Sequence, residues 1–120
     1  MNVLQKIHEY GYVFNDLKPD NILIGDLPLY FYQEMIKQKK TIDKRQFCQV
    51  HLIDFGLTTS YNDENGKHIK SGMPDKFKGS MLFASKNAFN FLMTSRRDDL
   101  IALCYLLIYL IDENQLKFIQ

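Results

Sequence analysis

The feature that most constrains the fold is the apolar run Leu100–Ile111, which reads LIALCYLLIYLI. A helix over these 12 residues would be apolar on every face, so it needs neighbouring protein on all sides. The run is too short to span a bilayer, which takes about 20 residues. The sequence therefore predicts a helix over residues 97–112 that is buried inside a protein. Exposed apolar patches are expected wherever its neighbours are missing.

The composition is that of an ordinary globular chain. Hydrophobic residues make up 46% and charged residues 24% of the 120 residues, which argues against disorder and suits a single domain. The net charge of +1 gives no electrostatic reason to expect nucleic acid or an anionic membrane as a partner. Cys48 and Cys104 are isolated thiols, and Met1 leads into a mixed polar segment rather than a signal peptide. Both features predict an intracellular protein, cytoplasmic or nuclear.

Periodicity and turn residues divide the rest of the chain into short elements. The predicted elements are, in chain order, a helix over residues 2–10 ended by Gly11, a loop over 16–21, a strand over 22–24, a helix over 30–40, a strand over 50–53 and a long loop over 58–80. The two strands are predicted to pair antiparallel. Residues 58–78 are predicted to be mobile, because they are polar and rich in Gly and Pro. The three histidines are far apart and are predicted to be ordinary surface or edge residues.

Polar side chains concentrate beside the two predicted strands. Asp16, Lys18 and Asn21 lie in the loop before the first strand, and Asp54 follows the second. Pairing of the strands would bring Asp16 and Asn21 near Asp54. Carboxylate and amide oxygens suit Mg²⁺, which prefers one or two carboxylates together with substrate phosphates. The pattern predicts a site for Mg²⁺ and a nucleotide, with Lys18 beside the phosphates and Asp16 free to deprotonate a hydroxyl.

Two motifs at this site resemble those of a known enzyme family. DLKPDN (Asp16–Asn21) resembles the catalytic loop of the eukaryotic protein kinases, and Asp54-Phe55-Gly56 resembles their metal-binding DFG motif. Further along, KGSMLFASKNA (Lys78–Ala88) and SRRDDL (Ser95–Leu100) are similar to the casein kinase I branch. The resemblance implies a protein kinase-like fold of the α+β class, mainly helical with short antiparallel strands, from the central part of the C-terminal lobe.

The resemblance also implies a division of the chain. It gives a partial kinase domain over residues 1–120 that contains a catalytic loop (14–21), an insertion (26–49), the DFG motif (54–56), an activation segment (57–88) and the buried helix (97–112). Only the insertion lies outside the resemblance, because it is longer than the family usually has.

The catalytic roles follow from the resemblance residue by residue. It implies that Asp16 accepts the proton of the substrate hydroxyl and that Lys18 contacts the γ-phosphate of ATP. Asn21 and Asp54 would hold Mg²⁺ and thereby bind the cofactor.

Four further residues are expected to support this site. Ser80 stands where the family has a threonine that steadies the catalytic loop. Asp99 is expected to accept hydrogen bonds from the loop backbone, a role that suits an aspartate at the start of a helix. Phe14 and Phe55 are expected to support the site by packing.

Three departures from the family pattern qualify these expectations. Asn15 replaces an arginine and cannot form an ion pair with a phosphate, so control by phosphorylation of the activation segment is not expected. Leu82 replaces an arginine that helps to bind acidic substrates. The chain also contains no Gly-rich loop and no lysine–glutamate pair of a small lobe, so the 120-residue chain alone is predicted to be inactive.

Three hypotheses of function remain open at this point. The first is a Ser/Thr protein kinase of casein kinase I type, present as an incomplete catalytic domain, with ATP and Ser/Thr-containing proteins as substrates. The second is a kinase-derived scaffold that binds without catalysis. The third is the inactive product of a truncated gene. Missing kinase segments, or a partner protein, are expected to cover the exposed apolar surface.

Overall fold

The computed structural model of the chain describes residues 2–25 and 49–112. The helices and strands in this part are α1 (Asn2–Glu9), β1 (Tyr12–Val13), β2 (Ile22–Ile24), β3 (Val50–Leu52), β4 (Thr59–Ser60), the short helix α2 (Lys86–Phe89) and α3 (Arg96–Ile111). Two 3₁₀ turns, Pro19–Asn21 and Met81–Phe83, complete the set. This is a small domain of mixed helix and strand.

The first helix begins and ends close to where the sequence predicted. Gly11 follows α1 with a left-handed φ of 89°, and its N–H donates to the carbonyl of His8 at 3.0 Å. A glycine in this conformation ends a helix at little cost, because it has no Cβ to clash. The predicted helix over residues 2–10 is therefore confirmed, one residue shorter than expected.

Two pairs of short antiparallel strands follow. β2 pairs with β3 in a register that aligns Ile22 with Leu52 and Ile24 with Val50, which confirms the predicted pairing. The second strand ends at Leu52, one residue earlier than predicted, although the N–H of Ile53 still donates to the carbonyl of Asn21 at 3.0 Å. β1 pairs with β4, so the residues just before the Asp16 loop lie beside those that follow Asp54-Phe55-Gly56.

The core lies where α1, the loop after β1 and α3 meet. Its buried side chains are Leu4, Phe14, Leu17, Phe83, Ala102 and Leu106. Phe14 and Leu17 flank Asp16, so the polar loop is anchored through apolar residues on both of its sides. This arrangement places the loop against the first half of α3.

The last helix forms as predicted but is buried on one side only. Ser95 precedes α3, and its N–H donates to the carboxylate of Asp98 at 2.7 Å, an interaction that caps the first turn. Leu106 faces the core, but Leu107, Leu110 and Ile111 are 52%, 64% and 87% exposed. In the part of the chain that the structure describes, the elements packed on α3 cover a single face, and burial of its other faces by further protein stays a prediction. The expected exposed apolar surface is present.

The long loop over residues 58–80 has more structure than predicted. It contains β4 and an isolated bridge between Asn62 and His68. Between these two residues the Asp63 carboxylate accepts the N–H groups of Asn65 and Lys67, each at 2.9 Å. Local side-chain to backbone hydrogen bonds of this kind order a turn without an apolar core. The mobility of residues 58–78 stays a prediction.

Some sequence predictions fall outside the described residues. These are the helix over 30–40 and all of the insertion over 26–49 except Gln49. Within residues 2–25 and 49–112, no helix is both long enough and apolar enough to cross a membrane.

Candidate functional site

The loop between β1 and β2 brings three of the predicted site residues together. The Asp16 side chain is 4% exposed, and its Oδ2 accepts hydrogen bonds from Lys18 Nζ at 2.8 Å and from Asn21 Nδ2 at 2.9 Å. Asn21 Nδ2 also donates to the carbonyl of Asp16, and the 3₁₀ turn at Pro19–Asn21 brings the two residues close enough for both bonds. Asp16, Lys18 and Asn21 thus form one connected polar cluster.

The second carboxylate oxygen of Asp16 has different surroundings. Asp16 Oδ1 is buried and has no hydrogen-bond partner among the residues that the structure describes. A buried polar atom without a partner costs free energy, about 1–3 kcal/mol for a typical group. Such an atom commonly marks the place where a ligand or a water molecule binds. Asp16 is therefore fixed through one oxygen, and its other oxygen is enclosed but not hydrogen-bonded.

The surroundings of Lys18 favour the charged form of its side chain. The hydrogen bond with Asp16 outweighs the opposing effect of burial and raises the pKa of the Lys18 ammonium above its ordinary value of 10.5. The charge of Asp54 acts in the same direction. Lys18 therefore stays positively charged at neutral pH beside the carboxylate of Asp16.

Asp99, at the start of α3, binds the backbone of the loop through its carboxylate. Its side chain is 1% exposed, and it accepts the N–H of Phe14 at 2.8 Å and the N–H of Asn15 at 2.9 Å. His8 Nε2 lies 2.8 Å from the same carboxylate. A buried carboxylate is tolerated when its oxygens are satisfied in this way. These bonds set the backbone directly before Asp16.

Gly79 lies against the backbone of the loop. It has a left-handed φ of 88°, and a Cβ added there would lie 2.2 Å from the carbonyl oxygen of Asn15. Only a residue without a side chain permits this approach. Ser80, which was predicted to steady the loop, follows directly and begins the turn at Met81–Phe83. Its supporting role stays a prediction, whereas the close contact is made by its neighbour.

Asp54 lies at the end of β3, next to the cluster but less enclosed. Ile53, the preceding residue, is bonded through its N–H to the carbonyl of Asn21. Asp54 is exposed, has a left-handed φ of 60°, and accepts the N–H of Gly56 at 3.2 Å. Phe55 packs edge-on against Phe14 with ring centroids 5.3 Å apart. The structure therefore joins Phe14 and Phe55 by a ring contact. Their support of the site and the shared binding of one ion by Asn21 and Asp54 stay predictions.

The donor set fits a hard cation of the Mg²⁺ type only together with a phosphate ligand. Among residues 2–25 and 49–112 there is no cluster of three or more His, Cys, Asp or Glu side chains that could hold a metal. Asn21 uses its nitrogen toward Asp16, so its oxygen is the atom with the chemistry of a Mg²⁺ ligand. Mg²⁺ commonly takes one or two protein ligands and completes its shell with phosphates and water, so the sparse set is compatible with it.

Two residues of this site were missed from the sequence. His8 was predicted to be an ordinary surface or edge residue, which is wrong, because its side chain is 12% exposed and contacts Asp99. The two residues are 91 positions apart in the chain, and no local pattern signals such a contact. Gly79 was not singled out either, although it lies inside the KGSMLFASKNA motif. His51 and His68 are exposed, as predicted.

A groove of about 520 Å³ lies elsewhere, between α1 and α3. Its lining includes His8, Tyr61 and Arg96, with the Arg96 guanidinium 4.5 Å from the centre of the Tyr61 ring. Asp16, Lys18, Asn21 and Asp54 do not line it. The chemistry therefore concentrates at the polar cluster rather than in this groove.

The chain is similar in sequence to known proteins. A casein kinase 1-like protein of rice (Oryza sativa subsp. japonica), HD16, is 34% identical to the chain over 113 residues. In total, 65 curated proteins show significant similarity to the chain. This similarity supports a kinase relationship. It suggests a kinase-like fold, with which the small mixed domain is consistent.

The similarity covers very different shares of the two proteins. The aligned region covers 92% of this chain but 14% of the rice protein, so the chain spans a small part of that relative's length. No family model matches the chain. The comparison therefore supports a kinase-related function in general.

Proposed function

We propose that the chain forms the catalytic-loop region of a Ser/Thr protein kinase of casein kinase I type, which transfers the γ-phosphate of ATP to a Ser or Thr hydroxyl of a protein. The observation that carries this proposal is the state of Asp16. One of its carboxylate oxygens is held by Lys18 and Asn21, and the other is buried without a partner. A fixed carboxylate with one oxygen that makes no hydrogen bond is suited to orient a hydroxyl and accept its proton when a substrate reaches that oxygen.

Lys18 supplies the electrostatic part of the proposed mechanism. It stays charged because its hydrogen bond with Asp16 raises its pKa. A fixed positive charge beside a phosphoryl group stabilises the negative charge that spreads over its oxygens during transfer. In this role Lys18 steadies the base and attracts the phosphate at the same time.

Asn21 and Asp54 are the residues that would hold Mg²⁺. When bound, the ion neutralises charge on the phosphates of ATP. Asn21 contributes an amide oxygen and Asp54 a carboxylate. Asp99 and Gly79 act on the base through the backbone, because Asp99 accepts the N–H groups of Phe14 and Asn15 and Gly79 lies against the carbonyl of Asn15.

Protein substrates, ATP and an intracellular location belong to the same proposal. So does the division of the chain into a catalytic loop (14–21), a DFG motif (54–56) and an activation segment (57–88). Nucleic acid and membranes are not proposed as partners. The activity is proposed for this chain within a complete kinase domain, which is called the full-length protein in the tests below.

The decisive test compares two substitutions in one loop of the full-length protein. Asp16→Asn keeps the size of the side chain but removes the proton acceptor, so the rate of phosphate transfer to a Ser/Thr substrate should fall about 100-fold or more. Asp20→Asn makes the same chemical change at an exposed position that acts on Lys18 only through its charge, so it should stay within about twofold of wild type. Transfer is measured with radiolabelled ATP. An Asp16→Asn protein as active as wild type would refute the assignment of the base.

A second candidate, a binding module without catalysis, is favoured by the apolar surface of α3. Leu107, Leu110 and Ile111 lie exposed along that helix, and apolar patches of this kind commonly mark interaction sites. The same assay separates the two candidates. A wild-type protein that neither transfers phosphate nor binds ATP would favour the binding module.

A further inference from the structure

Asn15, the residue directly before Asp16, makes more side-chain contacts than the proposed mechanism uses. Its amide nitrogen donates to the carbonyl of Leu57 and to the hydroxyl of Thr59, each at 2.8 Å. Its amide oxygen accepts a hydrogen bond from the hydroxyl of Thr94. One side chain therefore joins the loop of Asp16, the segment after Asp54-Phe55-Gly56, and the residues that precede α3.

The segment that Asn15 holds has few other attachments. Asp54, Phe55, Gly56 and Leu57 are all exposed. The Phe14–Phe55 ring contact fixes one point of this segment, and the pairing of β4 with β1 begins only at Thr59. The bond from Asn15 to Leu57 lies between these two points. It attaches the stretch that carries a predicted cofactor ligand to the loop that carries the predicted base.

Asparagine is well suited to this position for two independent reasons. Its backbone has a left-handed φ of 69°, a conformation that asparagine tolerates better than most residues. Its amide offers two N–H donors and an oxygen acceptor, and all three find partners here. Aspartate has the same size but no donor, and glycine accepts the backbone angle but has no side chain.

We infer that Asn15 is a positioning residue, whose neutral amide holds segment 57–59 in place beside Asp16. No added charge is needed for this attachment, because every group in it is uncharged. The effect on phosphate transfer rests on the proposed function, whereas the effect on the order of the segment rests on the contacts alone.

The experiment uses the full-length protein and three substitutions. Asn15→Asp removes the donors without changing size, and Asn15→Gly removes the side chain without introducing a charge or backbone strain. Asn65→Asp is the matched control, because Asn65 is exposed in the nearby turn and undergoes the same chemical change. Hydrogen exchange of the amides of residues 57–61 is measured by mass spectrometry in each protein.

Both Asn15 variants should speed exchange across residues 57–61 about tenfold, the effect of about one lost hydrogen bond. The strand pair β2–β3 and the Asn65→Asp protein should exchange as in wild type. Unchanged exchange of residues 57–61 in both Asn15 variants would overturn the inference.

A double-mutant cycle separates a direct contact from a general loss of stability. Thr59→Val removes the acceptor hydroxyl while it keeps the shape of the side chain, so its effect on exchange should be largely absent once Asn15 is glycine. Strictly additive effects would contradict a direct link between the two residues.

The activity measurement is read separately. If the full-length protein transfers phosphate, Asn15→Gly should lower kcat about tenfold and change KM for ATP less than about twofold, because geometry rather than binding is lost. An unchanged kcat with altered exchange would overturn the positioning role. If the wild-type protein transfers no phosphate, the proposed function has failed, and the exchange measurements alone decide whether Asn15 holds the segment.

Discussion

The loop around Asp16 and the segment around Asp54 each carry a carboxylate of the proposed site, yet the protein holds them in different ways. Phe14, Asp16 and Leu17 are buried in the core, and the loop backbone is bonded to Asp99. The segment from Asp54 to Leu57 is exposed throughout. Its main attachments, through Phe55 and Leu57, are to residues of the loop.

This difference gives the two regions an order of dependence. The loop is positioned by α1 and α3, through the shared apolar core and the hydrogen bonds of Asp99. The segment in turn is positioned partly by the loop. Damage to the loop should therefore disturb the segment, whereas damage to the segment should leave the loop nearly intact.

The ring contact between the two regions gives the largest expected effect. Phe14→Ala should lower the free energy of opening of the loop by about 3–5 kcal/mol, because removal of a fully buried phenyl ring leaves a cavity. Phe55→Ala removes the other ring of the same pair, which is 51% exposed, and should cost about 1 kcal/mol. Hydrogen exchange of residues 13–17 measures both. Equal losses would mean that the segment is as important to the loop as the core is.

A steric test at Gly79 comes next in size. Gly79→Ala should cost about 3 kcal/mol or more, because its Cβ would collide with the Asn15 carbonyl and its backbone is left-handed. Gly66→Ala is the control, since that glycine is also left-handed, with φ of 74°, but its Cβ would meet nothing within 4 Å. It should cost about 1 kcal/mol. Similar losses at the two glycines would show that backbone strain, and not the close contact, dominates at Gly79.

A buried and an exposed carboxylate each accept two backbone N–H groups, so a comparison of the two isolates the effect of burial on stability. Asp99→Asn weakens the bonds from Phe14 and Asn15 in a site that is 1% exposed, and should destabilise the loop by about 2 kcal/mol. Asp63 also accepts two backbone N–H groups, but it is exposed. Asp63→Asn should cost less than about 1 kcal/mol and act only on its own turn. Exchange of the loop and of residues 63–67 is compared in both variants.

The smallest expected effect is a pH dependence confined to the later part of the chain. Burial alone would raise the pKa of Asp75, but hydrogen bonds from Lys78 and from the Lys76 backbone leave the pKa below its ordinary value of 3.8. Because the pKa is lower in the folded protein, the stabilisation is complete above pH 3.8 and is lost as the pH falls through the folded value. Asp75→Asn should flatten this acid dependence in the exchange of residues 75–79 by less than about 1 kcal/mol.

Lys18 provides the contrast for that measurement. Its pKa lies above 10.5, so its contribution is complete at lower pH and is lost only when the pH rises through the folded value. Lysine at position 18 should therefore add no acid dependence of its own to the loop.

Local order and the chemistry of the loop were readable from the sequence. Apolar spacing and Gly11 identified α1, and short apolar runs bounded by polar residues or glycine identified β2 and β3. The gathering of Asp16, Lys18 and Asn21 followed from their spacing around Pro19. In each case the deciding interactions join residues close in the chain, or two strands with obvious partners, so a short window of sequence contains the cause.

Several of the contacts that hold the loop in place were decided only by the tertiary structure. The sequence specified which residues could do the chemistry, and it did so through local spacing. The contact of His8 with Asp99, the approach of Gly79 to the Asn15 carbonyl and the one-sided burial of α3 depend on how distant elements pack. The same helix, loop and glycine could have the same local sequence in a chain that packed them differently. Such contacts arise from the burial of one shared core, whose geometry is a property of the folded chain and not of any segment within it.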